Sequence, residues 1–482
     1  MPQKRVLRSA VPLSLVLMGC TARGPTPVAG QQTPAPAEAA MVATAPPPAE
    51  ARRLTTTAGA LGLEVAPQFE RVLLGKSPVE VNVLVRLRGE GKAAGERPPL
   101  DLAVVLDRSG SMSGDKILAV KQAALDLLKE LRPADRITLI SYSDDVTVHV
   151  ELLTLDAQGV DTTRAQILPI QPDGGTALGP GLIRGLELLE RAKRRERDLA
   201  HLLLFSDGQA NVGEQNPEVL GARAAQAFKA NVSVSTLGVG LDYNEDLMTK
   251  IADAGGGRYH FIKGADEVGR VLADELAGLV STSATGISLD LKPAAGVAVT
   301  RVFGYPAREE AGATKVSVGS IGAQQAREIV VRMSVAAAPA PVAGGELALG
   351  VLGVGFTDLV AGGKPGRLEL ALALATAADE ADARRSERTE VTVRVAEVES
   401  SEQLQLAARR AESGDYEGAK QVIGRSLEAL EAQQKATPSP KLQAQIDDLK
   451  QASQGVDAAR TSDVADKMFK KDVKAKAYKK MK

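Results

Sequence analysis

Between Leu100 and Val280, uninterrupted aliphatic runs alternate with segments whose apolar residues recur at helical spacing. No other feature constrains the fold as much. Leu100 to Leu106 is apolar enough for a strand buried on both faces, and Lys116 to Leu131 follows as an amphipathic helix. "DRITLISYS" and "VTVHVELL" read as strands joined by a turn at Asp144 and Asp145. A helix from Leu178 to Arg194, the strand "LAHLLLFSDG", a helix from Pro217 to Lys229 and the strand "NVSVSTLGVG" come next. A helix from Asn244 to Ala254, the short strand "RYHFI" and a helix from Ala265 to Val280 close the series. Such alternation predicts an α/β fold, a doubly wound and mainly parallel sheet covered by helices on both faces.

On either side the hydrophobic period changes to two. "VEVNVLVRLRG" sets Val81, Val83, Val85 and Leu87 on one face and Asn82, Arg86 and Arg88 on the other. After Thr282 come "GISLDLKP", "GVAVTRVFG", "TKVSVGSIG", "REIVVRMSV", "GELALGVLGVGF", "LELALALAT" and "RTEVTVRVAEV", short strands with turn residues between them. The lone strands before Pro98 need partners. The expectation is therefore an α/β domain over 100–281 inserted into a β-sandwich built from 61–99 and 282–398. Residues 399–482 read as helical. Within them Ala408, Gly414-Asp415-Tyr416 and Ala419 resemble one tetratricopeptide-like hairpin, too little for an array. The last sixteen residues hold eight lysines and read as a solvated, frayed end, with binding to anionic headgroups as the alternative.

The chain of 482 residues has a single cysteine, Cys20, so no intramolecular disulfide exists. Cys20 follows Lys4, Arg5 and Arg8 and an apolar stretch from Ala10 to Met18 that is too short to span a bilayer. This is the pattern of a secretory signal over residues 1–19. Leu17-Met18-Gly19-Cys20 resembles a bacterial lipobox, although Met18 stands where a small residue is usual. The resemblance implies cleavage before Cys20, acylation of Cys20 and a stable membrane anchor. Thr21 rather than an acidic residue follows the cysteine, which points to the outer membrane of a bacterial envelope. Residues 20–60 are then a linker rich in Pro and Ala, extended and unable to bury enough apolar surface to fold. A net charge of −1 gives no global field toward nucleic acid, so no nucleic-acid partner is expected.

Open α/β sheets bind ligands at the carboxyl ends of their strands, where strand order reverses. "VVLDRSGSMSGDK" ends a buried strand in Asp107 and follows it with Ser109 and Ser111. "PDGGTALGPG" delivers Thr176 ahead of a helix, and "LLLFSDGQAN" ends another buried strand in Asp207. Two carboxylates and three hydroxyls are hard oxygen donors. They suit Mg²⁺, with Mn²⁺ or Ca²⁺ as alternatives, and lack the Cys and His that zinc prefers.

"DRSGSM", "GGT", "FSDG" and "STLGVGLDYNEDLM" together resemble a von Willebrand factor A domain over about Leu100 to Leu279. All five positions of that family's metal-ion-dependent adhesion site match: Asp107, Ser109, Ser111, Thr176 and Asp207. The β flanks are similar to bacterial secreted relatives of the family. The resemblance implies that the serines and usually the threonine touch the ion, that the aspartates often act through water, and that an acidic residue of a protein partner completes the shell.

Other chemistries find less support. Ser109 lies in no G-x-S-x-G elbow, and "AGGGRYHF" and "GGTALGPG" lack the Gly-Lys-Ser/Thr ending of a phosphate loop. His149, His201 and His260 read as packed or surface residues rather than general bases, and Asp242 and Glu245 as caps for the helix that follows. The expectation is a non-enzymatic, membrane-anchored envelope protein that binds a protein through a divalent cation. The alternative is a structural scaffold acting through the sandwich and C-terminal helices, with the metal incidental.

Overall fold

The computed structural model describes residues 54–91, 98–193, 198–337 and 344–482. The proposed signal sequence, Cys20 and most of the Pro/Ala-rich linker lie outside these residues. The chain opens with β1 (Leu54–Ala58), β2 (Leu61–Pro67), β3 (Arg71–Val72) and β4 (Val79–Gly89). Ordered strand therefore begins at Leu54, inside the span read as linker: β1 pairs antiparallel with β2, and its threonines alternate across an edge strand.

The α/β stretch follows. It comprises β5 (Leu100–Asp107), α1 (Asp115–Glu130), β6 (Arg136–Tyr142), β7 (Val146–Thr154), α2 (Ala157–Ile167), α3 (Leu178–Arg191), β8 (Leu199–Ser206), α4 (Pro217–Lys229), β9 (Val232–Val239), α5 (Glu245–Ala254), β10 (Gly256–Ile262) and α6 (Val268–Val280). Its sheet runs in the order β10-β9-β8-β5-β6-β7 and is parallel except for the β6–β7 hairpin. Strand β5 buries every residue. Leu100, Leu102, Val104 and Leu106 go to one core and Ala103 and Val105 to the other, as the two-residue period of a doubly covered strand requires. From β5 the chain goes first to β6 on one side and later to β8 on the other. The order thus reverses between β5 and β8. Of the helices, α2 is short and mostly polar, and its sequence carries no clear apolar stripe.

The chain continues through β11 (Thr282–Pro293), β12 (Val297–Val302), β13 (Ala307–Glu310), β14 (Ala313–Gly322), β15 (Ala326–Val335), β16 (Glu346–Asp358) and β17 (Lys364–Thr376). Two sheets result, β1-β2-β4-β15-β12 and β13-β14-β11-β16-β17-β3. Strand β4 pairs with β15 from Val79–Val335 to Arg88–Ala326, so the strands before the α/β domain do find their partners after it. The inner faces share one core that includes Val83, Val85, Leu289, Val331 and Leu352.

Four further helices complete the molecule after the short α7 (Glu380–Arg385): α8 (Thr389–Glu412), α9 (Tyr416–Ala436), α10 (Pro440–Ala459) and α11 (Asp463–Met481). Two expectations are corrected here. "RTEVTVRVAEV" is not a strand. It opens α8, and the helical region begins well before residue 399. Its valines satisfy both periods, but Val391, Val395 and Val398 fall at helical spacing and cover Ala66, Leu84 and Val330 on the outer face of the sandwich. The sheet needed a cover on that face, and tertiary packing overrode β propensity.

The lysine-rich end is no frayed tail either. Helix α11 buries Phe469, Val473, Ala477 and Met481 against the other C-terminal helices, and it reaches the α/β domain. Lys471 Nζ lies 3.7 Å from the Tyr243 ring centroid and donates to the Tyr243 carbonyl at 2.9 Å. Lys467 pairs with Asp242 at 2.6 Å and Lys474 with Glu245 at 2.7 Å. Tyr478 packs edge-on against Tyr259 and donates to Asp253 at 2.9 Å. The lysines were needed because α5 presents acids to them. The hairpin of α8 and α9 is as expected, with Ala408 and Ala419 fully buried and Asp415 accepting from Gly418 N at 2.8 Å. Among the described residues no helix is long and apolar enough to cross a membrane.

Tyr478→Ala should lower stability to chemical unfolding by about 3–5 kcal/mol, the cost of emptying a buried aromatic site. An unchanged urea midpoint would mean that α11 is not docked.

Candidate functional site

Strands β5 and β8 end side by side at the point of reversal, and both end in acids. Asp107 and Asp207 are each 0% exposed. Asp107 Oδ1 accepts from Ser109 N at 2.8 Å, and Oδ2 accepts from Ser206 Oγ at 2.9 Å. The Tyr142 hydroxyl lies 3.3 Å from Oδ2 and donates to the Phe205 carbonyl at 2.5 Å. Burial pushes the Asp107 carboxyl above its ordinary range, and the nearby Asp207 adds to this. The Ser109 and Ser206 hydrogen bonds pull it back by favouring the ionised form.

Beyond β5 a short 3₁₀ turn, Gly110–Met112, and Gly114 at φ +79° lead into α1. The turn brings Ser109 Oγ and Ser111 Oγ to 3.0 Å from one another, and Ser111 Oγ donates to Asp207 Oδ1 at 2.6 Å. Ser109 is buried, whereas Ser111 is exposed at the rim. Thr176 reaches the same place from its own loop. A Cβ on Gly208 would stand 3.2 Å from Ser111 Oγ and 3.4 Å from Thr176 Oγ1, so a glycine after Asp207 lets those hydroxyls converge. All five residues singled out in the sequence meet on one strand-end rim.

The loops are locked to each other. Gly110 N donates to the Gly174 carbonyl at 3.0 Å, and Asp173 N donates to the Arg108 carbonyl at 2.7 Å. Asn211 Oδ1 accepts from Thr176 N at 2.7 Å. Asp144, read as a turn residue, also accepts from Gly175 N at 2.8 Å and so holds the Thr176 loop in place.

The residue that sequence reasoning missed is Lys116. Its Nζ lies 2.5 Å from Asp207 Oδ2 and 3.4 Å from the Ser111 carbonyl. A lysine in the first turn of a helix opposes the macrodipole, and that misplacement was the available signal that it serves a carboxylate. Asp242 and Glu245 are not caps: Asn244 caps α5 by accepting from Leu247 N at 3.0 Å, and both acids face the lysines of α11. The histidines lie elsewhere. His149 bonds Ser141 at 2.7 Å, and His201 and His260 both face Glu275.

Two buried carboxylates, three hydroxyls and one ammonium leave a net charge of −1 at this rim. Asp107 is satisfied only by neutral donors, and the oxygen-only set fits a hard divalent cation.

Comparison with known proteins agrees. Residues 101–272 match the family model of the von Willebrand factor type A domain. The uncharacterised protein YfbK of Escherichia coli is 30% identical over 247 residues, which span 50% of this chain and 42% of YfbK. Human inter-alpha-trypsin inhibitor heavy chain H4 is 31% identical over 33% of this chain and 18% of its own length. The chain thus spans less than half of either relative. A solved structure, von Willebrand factor type A from Catenulispora acidiphila, shares the fold over 88% of this chain and 98% of its own, with a TM-score of 0.67 at 17% identity. Domains of this kind commonly mediate protein adhesion through a metal ion. The strand-end rim of Asp107, Ser109, Ser111, Thr176 and Asp207 therefore belongs to a von Willebrand factor type A domain.

Proposed function

We propose that this protein captures a protein ligand through a divalent cation, Mg²⁺ first, held by Asp107, Ser109, Ser111, Thr176 and Asp207. The supporting observation is the convergence of those five oxygen-bearing side chains, of which Ser111 is exposed, on an otherwise buried strand-end rim. The bound ion supplies a Lewis-acidic point that a ligand carboxylate can occupy. The chain's own residues do the rest. Ser206 and Ser109 N keep Asp107 oriented, the Asp144 hook fixes Thr176, and Lys116 neutralises Asp207 until a cation competes for it. A divalent ion changes the rim from −1 to +1, which favours an acidic ligand.

The reading is of a binding protein rather than an enzyme. His201 lies six residues before Asp207 on an extended strand, about 20 Å away at the usual rise per residue. His260 is hydrogen-bonded to Glu275 and His149 to Ser141, so none of the three histidines stands beside Ser109 as a base. The N-terminal sequence supports the same proposal's setting, a bacterial envelope protein anchored in the outer membrane by acylated Cys20, with the Pro/Ala-rich segment as a spacer.

Asp107→Ala should abolish the rise in Tm that Mg²⁺ gives the unmutated protein and the Mg²⁺-dependent capture of envelope proteins. Capture that survives both this substitution and EDTA would move the function to the sandwich or helices. Lys116→Met should destabilise the metal-free protein by about 3 kcal/mol, because a buried carboxylate loses its partner. It should also tighten Mg²⁺ at least tenfold by calorimetry. Equal affinities in the two proteins would show that Lys116 does not compete with the ion.

A further inference from the structure

A cavity of about 70 Å³ lies on the seam between the von Willebrand factor type A domain and the sandwich, well away from the strand-end rim. The domain contributes His201, Arg258 and Glu275 to its wall, and the sandwich contributes Ser317, Ser320 and Arg327. The seam is close-packed around it: a Cβ on Gly319 would stand 2.4 Å from the Gly256 carbonyl oxygen.

Two acids, Asp253 and Glu275, and three cationic side chains, Arg258, Arg327 and Lys482, line the cavity, and Asp253 is taken by Lys482 at 3.0 Å and by the Tyr478 hydroxyl at 2.9 Å. The oxygens of Glu275 are also committed, Oε1 to Ser235 Oγ at 2.5 Å and Oε2 to His260 at 2.9 Å. Arg258 reaches Glu275 only at 4.0 Å. Among the described residues no carboxylate lies within ion-pair distance of Arg327. Burial and then the like charge of Arg258 lower the Arg327 pKa, while Tyr305, Glu275 and Tyr478 act in the other direction. Arg258 and Arg327 are both half-buried at the cavity wall, and the planar fork of guanidinium donors matches an oxyanion well.

His201 adds an independent sign. It is 1% exposed, and its Nε2 has no hydrogen-bond partner. Nδ1 lies 2.7 Å from Ser233 Oγ, whose hydroxyl can donate to it. Burial lowers the His201 pKa to about 4, so the ring is neutral at pH 7. A neutral ring beside a carboxylate keeps its proton on the nitrogen that faces it, here Nε2, which lies 3.6 Å from Glu275 Oε1 and has no acceptor within hydrogen-bond distance. The cavity thus presents guanidinium donors and an imidazole N–H without an acceptor, and the oxygens of a phosphate can accept from both.

We propose that this cavity binds a small tetrahedral oxyanion of the phosphate class, held by Arg258 and Arg327 from the two sides of the seam and fastening the domain to the sandwich. The test is thermal unfolding and calorimetry of the full-length protein in EDTA, titrated with inorganic phosphate against NaCl at matched ionic strength. Phosphate should raise Tm saturably where NaCl does not, and Arg327→Gln should weaken that binding at least tenfold. Arg258→Gln, on the opposite wall, should do the same and serves as the second variant if Arg327→Gln fails to fold. In Asp107→Ala the phosphate response should persist, which separates this site from the cation rim. A response no larger than that of NaCl, or one that survives substitution of either arginine in folded protein, would overturn the proposal.

Discussion

A carboxylate with no exposure at the end of a central strand is the constraint around which this molecule is arranged. Burial pushes the Asp107 carboxyl above its ordinary range, and the donors that favour its ionised form, Ser109 N and Ser206 Oγ, come from the turn beyond β5 and the end of β8. Burial opposes the charge and hydrogen bonding supports it, so the surrounding loops must be held rigidly for the balance to stand. The mutual backbone hooks between Arg108, Gly110, Asp173 and Gly174 supply that rigidity without using a side chain that the site needs.

The rim, the sandwich and the C-terminal helices are linked by contacts of different chemistry. Aliphatic packing holds each layer together and seats α8 on the sandwich, while the junction of α11 with the α/β domain is largely polar. Helix α11 meets the α/β domain through Lys467, Lys471, Lys474 and Tyr478, and the contact reaches Asp242 in the loop whose carbonyl also accepts from Gln209, two residues past Asp207. Exposed ion pairs of this kind contribute little individually. The buried Lys471 over Tyr243 and Tyr478 against Tyr259 give the junction its strength.

Much of this was legible in the sequence. The alternation of apolar runs and amphipathic segments identified the parallel sheet, because a strand covered on both faces has no polar face to show. The five rim residues were legible because each ends a buried run or sits in glycine. Residues whose role depends on a distant partner were not. Lys116 is one helix residue among many until Asp207 is placed beside it, and Asp144 is a turn residue until Gly175 N points at it. "RTEVTVRVAEV" satisfies both periods, and only the uncovered face of the sandwich decides between them. The lysines of α11 look solvated in sequence because the acids that receive them lie more than two hundred residues earlier.

The way the domain is inserted has one more consequence. The chain leaves the sandwich from β4 in one sheet and re-enters through β11 in the other, and the two meet at their base: Gly89 packs so closely that a Cβ there would stand 2.1 Å from the Gly322 carbonyl oxygen and 2.9 Å from Ser283 Oγ. Each of the two connections to the α/β domain is thus held on both sides, β4 by ladders with β2 and β15 and β11 by ladders with β14 and β16. The topology that inserts the domain gives it a footing that rests on no edge strand.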